Sequence, residues 1–533
     1  MTLPHWLTPL LDAAEQRALD RWAIEQRGVD GLELMERAGS GLARIVAEQV
    51  PRGLIAIVCG KGNNGGDGYV AARRLREAGR TVRVLALAAV EELSGDARIN
   101  AERLPGAAPE PFSAAALEGA AAIVDAILGT GFSGQPRGQA AAAIAAIVAA
   151  RRRGGGAPLV VACDVPSGVD GSTGEIADIA VSADLTVTFH APKPGLWIAP
   201  GKAHAGEVRV VEIGIPAEGP VRPSIGLIDD LVVAQVPRRG PASTKFAAGS
   251  VLVCGGSTGL TGAPSMACEA AMRAGAGYVT ALIPSSLNAV FESRLLEVMT
   301  VPLPDDGGAL REDALEPALE RCGRVQALVL GPGLGRRAAT QALARALAAR
   351  APVPLLLDAD GLNAHAGALE TLAGRPAATV LTPHAGELAR LLGRSSDQVA
   401  AQRLACAREA ARTARAIVVL KGDDTLVAAP DGRVAVSRGN APALATAGTG
   451  DVLAGVIGAY LAKRIDPFAA VCAGVHLHAR AGRLAAARVG PEGVIASDVI
   501  AALPAAFREL VDRVPSSGSP ASDVAWRSVG RPG

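Results

Sequence analysis

The chain has 533 residues, too many for one hydrophobic core, so it must divide into two or three domains. Lys and Arg number 53 against 52 Asp and Glu, a formal charge of +1, and aromatic residues make up only 3 %. Balanced charge excludes a large nucleic-acid footprint, scarce aromatics exclude a base-stacking platform, and an apolar share of 49 % excludes a largely disordered chain.

Seven scattered cysteines form no Cys-x-x-Cys pair and read as buried free thiols rather than disulfides or zinc ligands. The start, Met-Thr-Leu-Pro-His-Trp, lacks the pattern of a signal peptide. No segment approaches the roughly 18 apolar residues that span a bilayer. A cytoplasmic protein without membrane or nucleic-acid partners is expected, assembled as a homo-oligomer.

Residues 10–50 read as helices preceding the first strand. The apolar run 54–59 then meets the loop Gly60-Lys-Gly-Asn-Asn-Gly-Gly-Asp-Gly68 and a helix-like stretch, 69–78. A strand, a glycine loop and a helix present backbone amides to a phosphate or ribose. The loop matches neither the dinucleotide fingerprint nor a Walker A loop, and a plain turn between strand and helix is the alternative. Asn63, Asn64 and Asp67 add amide and carboxylate groups to it.

Further strands are predicted at 82–86, 121–128, 159–163 and 185–189, alternating with helical stretches, which implies a mostly parallel sheet. Two of them end in loops that carry carboxylates, Asp125 to Gly134 and Asp164-Val-Pro-Ser-Gly-Val-Asp170. In doubly wound sheets the carboxyl ends of the strands collect the ligand. Asp164 is therefore a candidate acid or base. Asp125, Ser167 and Asn64 can hold a hard or monovalent cation through oxygen. Lys193, in a Pro-rich turn, reads equally as a surface residue or a site cation.

These three motifs, in this order over about residues 10–215, resemble the NAD(P)H-hydrate epimerase family. The resemblance implies that Asn63, Asn64, Gly65, Gly66 and Asp67 bind the hydrated nicotinamide nucleotide. It adds Gly129, Thr130, Gly131, Phe132, Ser133, Gly134, Gln135 and Asp164 to that set. It also implies K+ on Asn64, Asp125 and Ser167.

A Pro- and Gly-rich linker is expected near 214–224, and a second α/β run follows it. Strand 251–254 leads into the glycine loop 255–262, and strands at 278–283, 327–330, 355–357, 379–381 and 417–420 follow. Gly331-Pro-Gly-Leu-Gly335, Asp358-Ala-Asp-Gly-Leu-Asn363, Thr382-Pro-His-Ala-Gly-Glu387 and Lys421-Gly-Asp-Asp-Thr425 each leave a strand. Ala445-Thr-Ala-Gly-Thr-Gly-Asp451 then opens an apolar helix-like run. Amides and the helix dipole at such a start suit a phosphate. A carboxylate there repels phosphate, so Asp451 makes sense as a group that takes a proton from a neighbouring hydroxyl. An ordinary acidic first turn is the alternative. His476 and His478 face apart on a helix and read as structural.

This second set, over about 235–505, resembles the ADP-dependent NAD(P)H-hydrate dehydratase family of the ribokinase-like group. The resemblance places Ala263, Gly333, His384 and Asp451 at the hydrate, and Lys421, Gly422, Asp423, Asp424, Thr425 and Gly450 at the adenine nucleotide. Ala385 and Ala447 depart from the family pattern, which has Pro and Gly there. The implied architecture is a Rossmann-like doubly wound domain over 1–218, a ribokinase-like α/β domain over 225–510 and a disordered tail over 511–533. The implied reaction is epimerisation of NADHX and NADPHX followed by ADP-dependent dehydration of the S form, releasing AMP and phosphate, with Mg2+ at the nucleotide. A kinase of a small alcohol competes for the second half, and a scaffold module competes for the first.

Overall fold

The computed structural model describes residues 2–151, 156–216 and 219–514, and they form two α/β units. The first takes in residues 9–226; the second runs from 227 onward and includes residues 4–8. In the second unit Trp6 lies on Phe468, ring centroids 5.8 Å apart.

In the first unit, seven strands form a sheet in the order Glu110–Pro111, Val82–Ala86, Leu54–Cys59, Ala120–Ala126, Leu159–Cys163, Leu185–Phe189 and Glu207–Val211. Every neighbouring pair is parallel. The strands are nearly continuous apolar runs because both sheet faces are covered, and separate clusters around Ile57 and around Ile123 fill the two sides. Strand order reverses between Leu54–Cys59 and Ala120–Ala126, so the loops after Cys59 and Ala126 diverge and leave a crevice.

The second unit contains an eleven-stranded sheet. Ser250–Cys254 runs parallel to Tyr278–Pro284 on one side and to Ala327–Leu330 on the other, which makes a second reversal point. Leu355–Leu357, Thr379–Leu381 and Ile417–Leu420 continue in parallel. Leu426–Ala428 and Val434–Val436 then turn antiparallel. Those two strands, joined by a short turn, were not among the predicted ones. Helix Thr449–Leu461 is buried along nearly its whole length.

The seven cysteines are free and buried, as their apolar surroundings imply. Among the described residues no helix is long and apolar enough to cross a membrane. Helix Ala496–Arg513 extends past 511, because its apolar face packs Val499, Leu503 and Leu510 into the core. The rest of the expected tail lies outside the described residues.

Candidate active sites

In the first unit the crevice is a cavity of about 1290 Å³ lined by Asn63, Asn64, Asp67, Gly129 to Phe132, Asp164 and Lys193. Arg17, Lys61 and Arg137 add cations to its wall, suited to the phosphates of a dinucleotide. Gly65 and Gly66 are packing positions: a Cβ on Gly65 would stand 1.9 Å from the Gly60 carbonyl, so only glycine lets the helix start this close to the strand. Ser133, Gly134 and Gln135 are exposed beyond the cavity wall, and Gln135 donates to Asp178 at 3.1 Å.

Asp164 ends its strand with φ 67°, a left-handed conformation that costs a non-glycine residue roughly 1–2 kcal/mol. Its contacts hold it there. Oδ2 accepts from the Thr130 amide at 2.8 Å and the Thr130 hydroxyl at 2.5 Å. Oδ1 accepts from Thr188 at 3.1 Å and pairs with Lys193 Nζ at 2.9 Å. Burial alone would raise this carboxyl, but the Lys193 charge and the Thr130 donors outweigh it and hold Asp164 below the usual aspartate range. Lys193 is buried and also donates to Thr188 and the Phe189 carbonyl, which settles its place inside the site.

Asp125 is fully buried; Ser167 donates to it through the hydroxyl at 2.6 Å and the amide at 2.8 Å. Burial pushes its carboxyl up to about 6 despite these donors, and no basic residue opposes the shift. Both polar atoms of the Asn64 side chain are buried without a hydrogen-bond partner. Asp20 and Gln16 belong to no motif of the sequence. They lie on helix Ala13–Arg27 and line the same cavity, Gln16 donating to Asp20 at 2.8 Å. A helical period marks which residues face inward, not what they face.

In the second unit the predicted residues gather at the carboxyl ends of the central strands. Gly448 caps helix Thr449–Leu461 with φ 90°, and the Thr449 hydroxyl ties the loop back to the Leu444 and Thr446 carbonyls at 2.7 and 2.9 Å. The amides of the first turn are thereby left for a ligand. Lys421 Nζ stands 3.4 Å from where a Gly450 Cβ would lie. It bonds Asp358 at 3.0 Å and lies 3.8 Å from Glu387. Burial would lower the lysine, but those two carboxylates raise it. Asp451 is pushed up to about 7, by burial first and then by the Asp358 charge, with Lys421 opposing.

His384 caps helix Ala385–Leu392: its Nδ1 accepts the Gly386 amide at 3.0 Å, so in the neutral ring Nε2 carries the proton and is the donor. Gly333 and Ala263 are adjacent, the Ala263 Cβ lying 3.3 Å from where a Gly333 Cβ would be. Asp424 is turned inward and paired with Arg403 at 2.8 Å, while Asp423 accepts the Asn440 amide at 2.7 Å. Thr425 closes its own turn on the Gly422 carbonyl at 2.6 Å. Ala447 is exposed and has no positive φ, so replacing glycine there strains nothing. His476 is structural, bonded to Asp230 at 2.7 Å.

Family comparisons divide the chain in the same way. The family described as YjeF-related protein N-terminus matches residues 31–195, and that of NAD(P)H-hydrate dehydratase matches 251–505. A bifunctional NAD(P)H-hydrate repair enzyme of Moorella thermoacetica is 40 % identical over 523 residues, covering 95 % of this chain and 98 % of that one. The chain belongs to this family. Other repair enzymes of the family, from Salinibacter ruber and Escherichia coli, are 38 % and 35 % identical over 93 % and 94 % of this chain and 95 % and 94 % of their own. Among solved structures, an ADP/ATP-dependent NAD(P)H-hydrate dehydratase from Bacillus subtilis, co-crystallised with ATP/Mg2+, is 28 % identical with a TM-score of 0.44. The alignment covers 52 % of this chain and 96 % of that one. Helix Ala13–Arg27 of this repair-enzyme chain precedes the segment matched by the first family.

Proposed function

We propose that the chain restores hydrated NAD(P)H: the first unit interconverts the R and S epimers, and the second dehydrates the S form at the expense of ADP, releasing AMP and phosphate. The observation that carries the reading is Asp451, a carboxyl near neutrality at an amide-rich helix start beside Lys421. Hydroxide is a poor leaving group and phosphate a good one. Asp451 takes the proton of the hydrate hydroxyl as the phosphoryl group arrives, and the amides of Gly448 to Gly450 stabilise the charge on that group. His384 orients the hydrate through its Nε2 proton. Lys421 and the 422–425 turn hold the adenine nucleotide.

In the first unit Asp164 is the proton-transfer group, with Lys193 and Thr130 fixing its oxygens. A potassium ion fits Asn64, Asp125 and Ser167, where a buried carboxylate lacks a counter-charge and a buried amide lacks a partner. It would neutralise that carboxylate and pin the loops around the cavity. Among the described residues no three acidic, His or Cys side chains form a metal cage. A magnesium ion would therefore take most of its ligands from the nucleotide phosphates and supply charge neutralisation there.

A mixed-epimer hydrate incubated with the protein and ADP should regain the near-ultraviolet absorbance of the reduced cofactor completely, with one AMP and one phosphate per cofactor restored. No recovery with either ADP or ATP would sink the reading and favour a kinase of a small alcohol.

A further inference from the structure

Besides Asp164, the epimerase cavity is lined by Asp20, which accepts from Gln16, and by Asp67 of the glycine loop. Asp67 lies on helix Asn63–Glu77, half-buried on the cavity wall, whereas Asp164 enters from the end of strand Leu159–Cys163. The two carboxyls are in opposite situations. Both oxygens of Asp164 are saturated by donors from Thr130, Thr188 and Lys193. The Asp67 carboxyl accepts no hydrogen bond from any described residue. Burial and the Asp164 charge push Asp67 well above the usual aspartate range against the pull of Lys193. One cavity therefore presents, on two different elements, a carboxyl held low by its donors and another held high by burial, the arrangement that separates acid from base.

We propose that Asp67 is the general acid of epimerisation and Asp164 its base. This rests on the epimerase reading of the first unit. Asp67 gives its proton to the hydroxyl on C6 of the hydrated ring. The C6–O bond breaks and its electron pair leaves with water, while the N1 lone pair forms an N1=C6 iminium. Water adds to C6 from the opposite face, the N1=C6 pair returns to N1, and the new oxygen's proton passes to Asp164. The proton then returns to Asp67 through solvent, or the next molecule reacts in the opposite sense. No oxidant or reductant is needed. The ionised Asp164 also stabilises the cationic ring between the two steps.

The test uses the full chain without nucleotide, which leaves the second unit idle, and a single purified epimer of NADH hydrate followed by chromatography. D67N should slow epimerisation at least about a hundredfold with KM within about threefold, since general acid catalysis contributes that much to turnover rather than to binding. D67E should recover part of the loss. ADP-dependent consumption of the S epimer by the same D67N sample should be unchanged, showing an intact chain. In 18O-labelled water the unmodified protein should place one 18O on C6 at each inversion, a readout that needs no variant. Inversion without label, D67N within about tenfold of the parent, or a rise in KM alone would each overturn the assignment. An unmodified chain that inverts neither epimer would instead overturn the epimerase reading itself.

Discussion

Both sites are built around one lysine among carboxylates, yet they tune their central aspartates in opposite directions. In the first unit Lys193 pairs directly with Asp164 and holds it below its ordinary range. In the second, Lys421 pairs with Asp358, and Asp451, outside that pair, feels two negative neighbours and rises to about 7. The same residue types give an anchored anion in one place and a carboxyl raised to about 7 in the other. What differs is which carboxylate touches the ammonium, and sheet topology decides that, because each lysine enters from the end of a different strand.

The largest effect that would sharpen this contrast is expected from Asp451→Asn. Dehydration should fall by ~10²–10⁴-fold, the range for a lost general base, while inversion of the epimers is untouched. If inversion falls equally, the two sites are not independent.

Next is Lys193→Met. It leaves Asp164 buried without its counter-charge, so the first unit should lose about 3–5 kcal/mol in denaturant unfolding. Combining it with Asp164→Asn should restore most of that loss. If the single variant unfolds like the parent, the pair does not hold Asp164 in place.

A smaller effect follows from pH. Asp451 must be ionised to accept a proton, so dehydration kcat/KM should rise with pH up to about 7 and then level off. Asp358→Asn removes a negative charge that raises Asp451 and leaves Lys421 freer to stabilise its ionised form. Both changes move the acid limb to lower pH. A limb that stays in place would show that burial alone sets the value.

Smallest of all is Ala447→Gly. The Ala447 backbone needs no positive φ, whereas Gly448 does. Turnover should stay within about twofold, and stability should fall by ~0.4–1 kcal/mol through the freer unfolded chain. A large gain in activity would mean that the alanine had been a real impediment.

The sequence made the parallel strands and the glycine loops legible because both are local: an apolar run followed by Gly, Asn and Asp needs no tertiary knowledge. The positions of Asp164, Asp125, Ser167 and Asp451 were legible for the same reason, since each lies at or just past the end of a strand or opens a helix. The sequence left Lys193 undecided, because a Pro-flanked lysine looks the same whether the turn faces solvent or a carboxylate 29 residues away. Asp424 and Asp423 look alike in the Lys421–Thr425 turn, yet Asp424 pairs with a buried arginine, Arg403, and Asp423 accepts the Asn440 amide. Asp20 was invisible, lying on an amphipathic helix whose inner face meets a cavity only in the folded unit. The antiparallel strands Leu426–Ala428 and Val434–Val436 were missed because only a short turn joins them, without the loop and helix that follow the parallel strands.

The most direct test of one separate site per unit is complementation. Asp164→Asn and Asp451→Asn proteins are each given a mixed-epimer hydrate with ADP, alone and then together, while recovery of reduced cofactor is followed by absorbance. Asp164→Asn alone should restore the S share quickly and the rest only at the spontaneous rate of inversion, and Asp451→Asn alone should restore almost none. The mixture should restore all of it. Full, rapid recovery by Asp164→Asn alone, or a mixture no better than that variant by itself, would contradict the account.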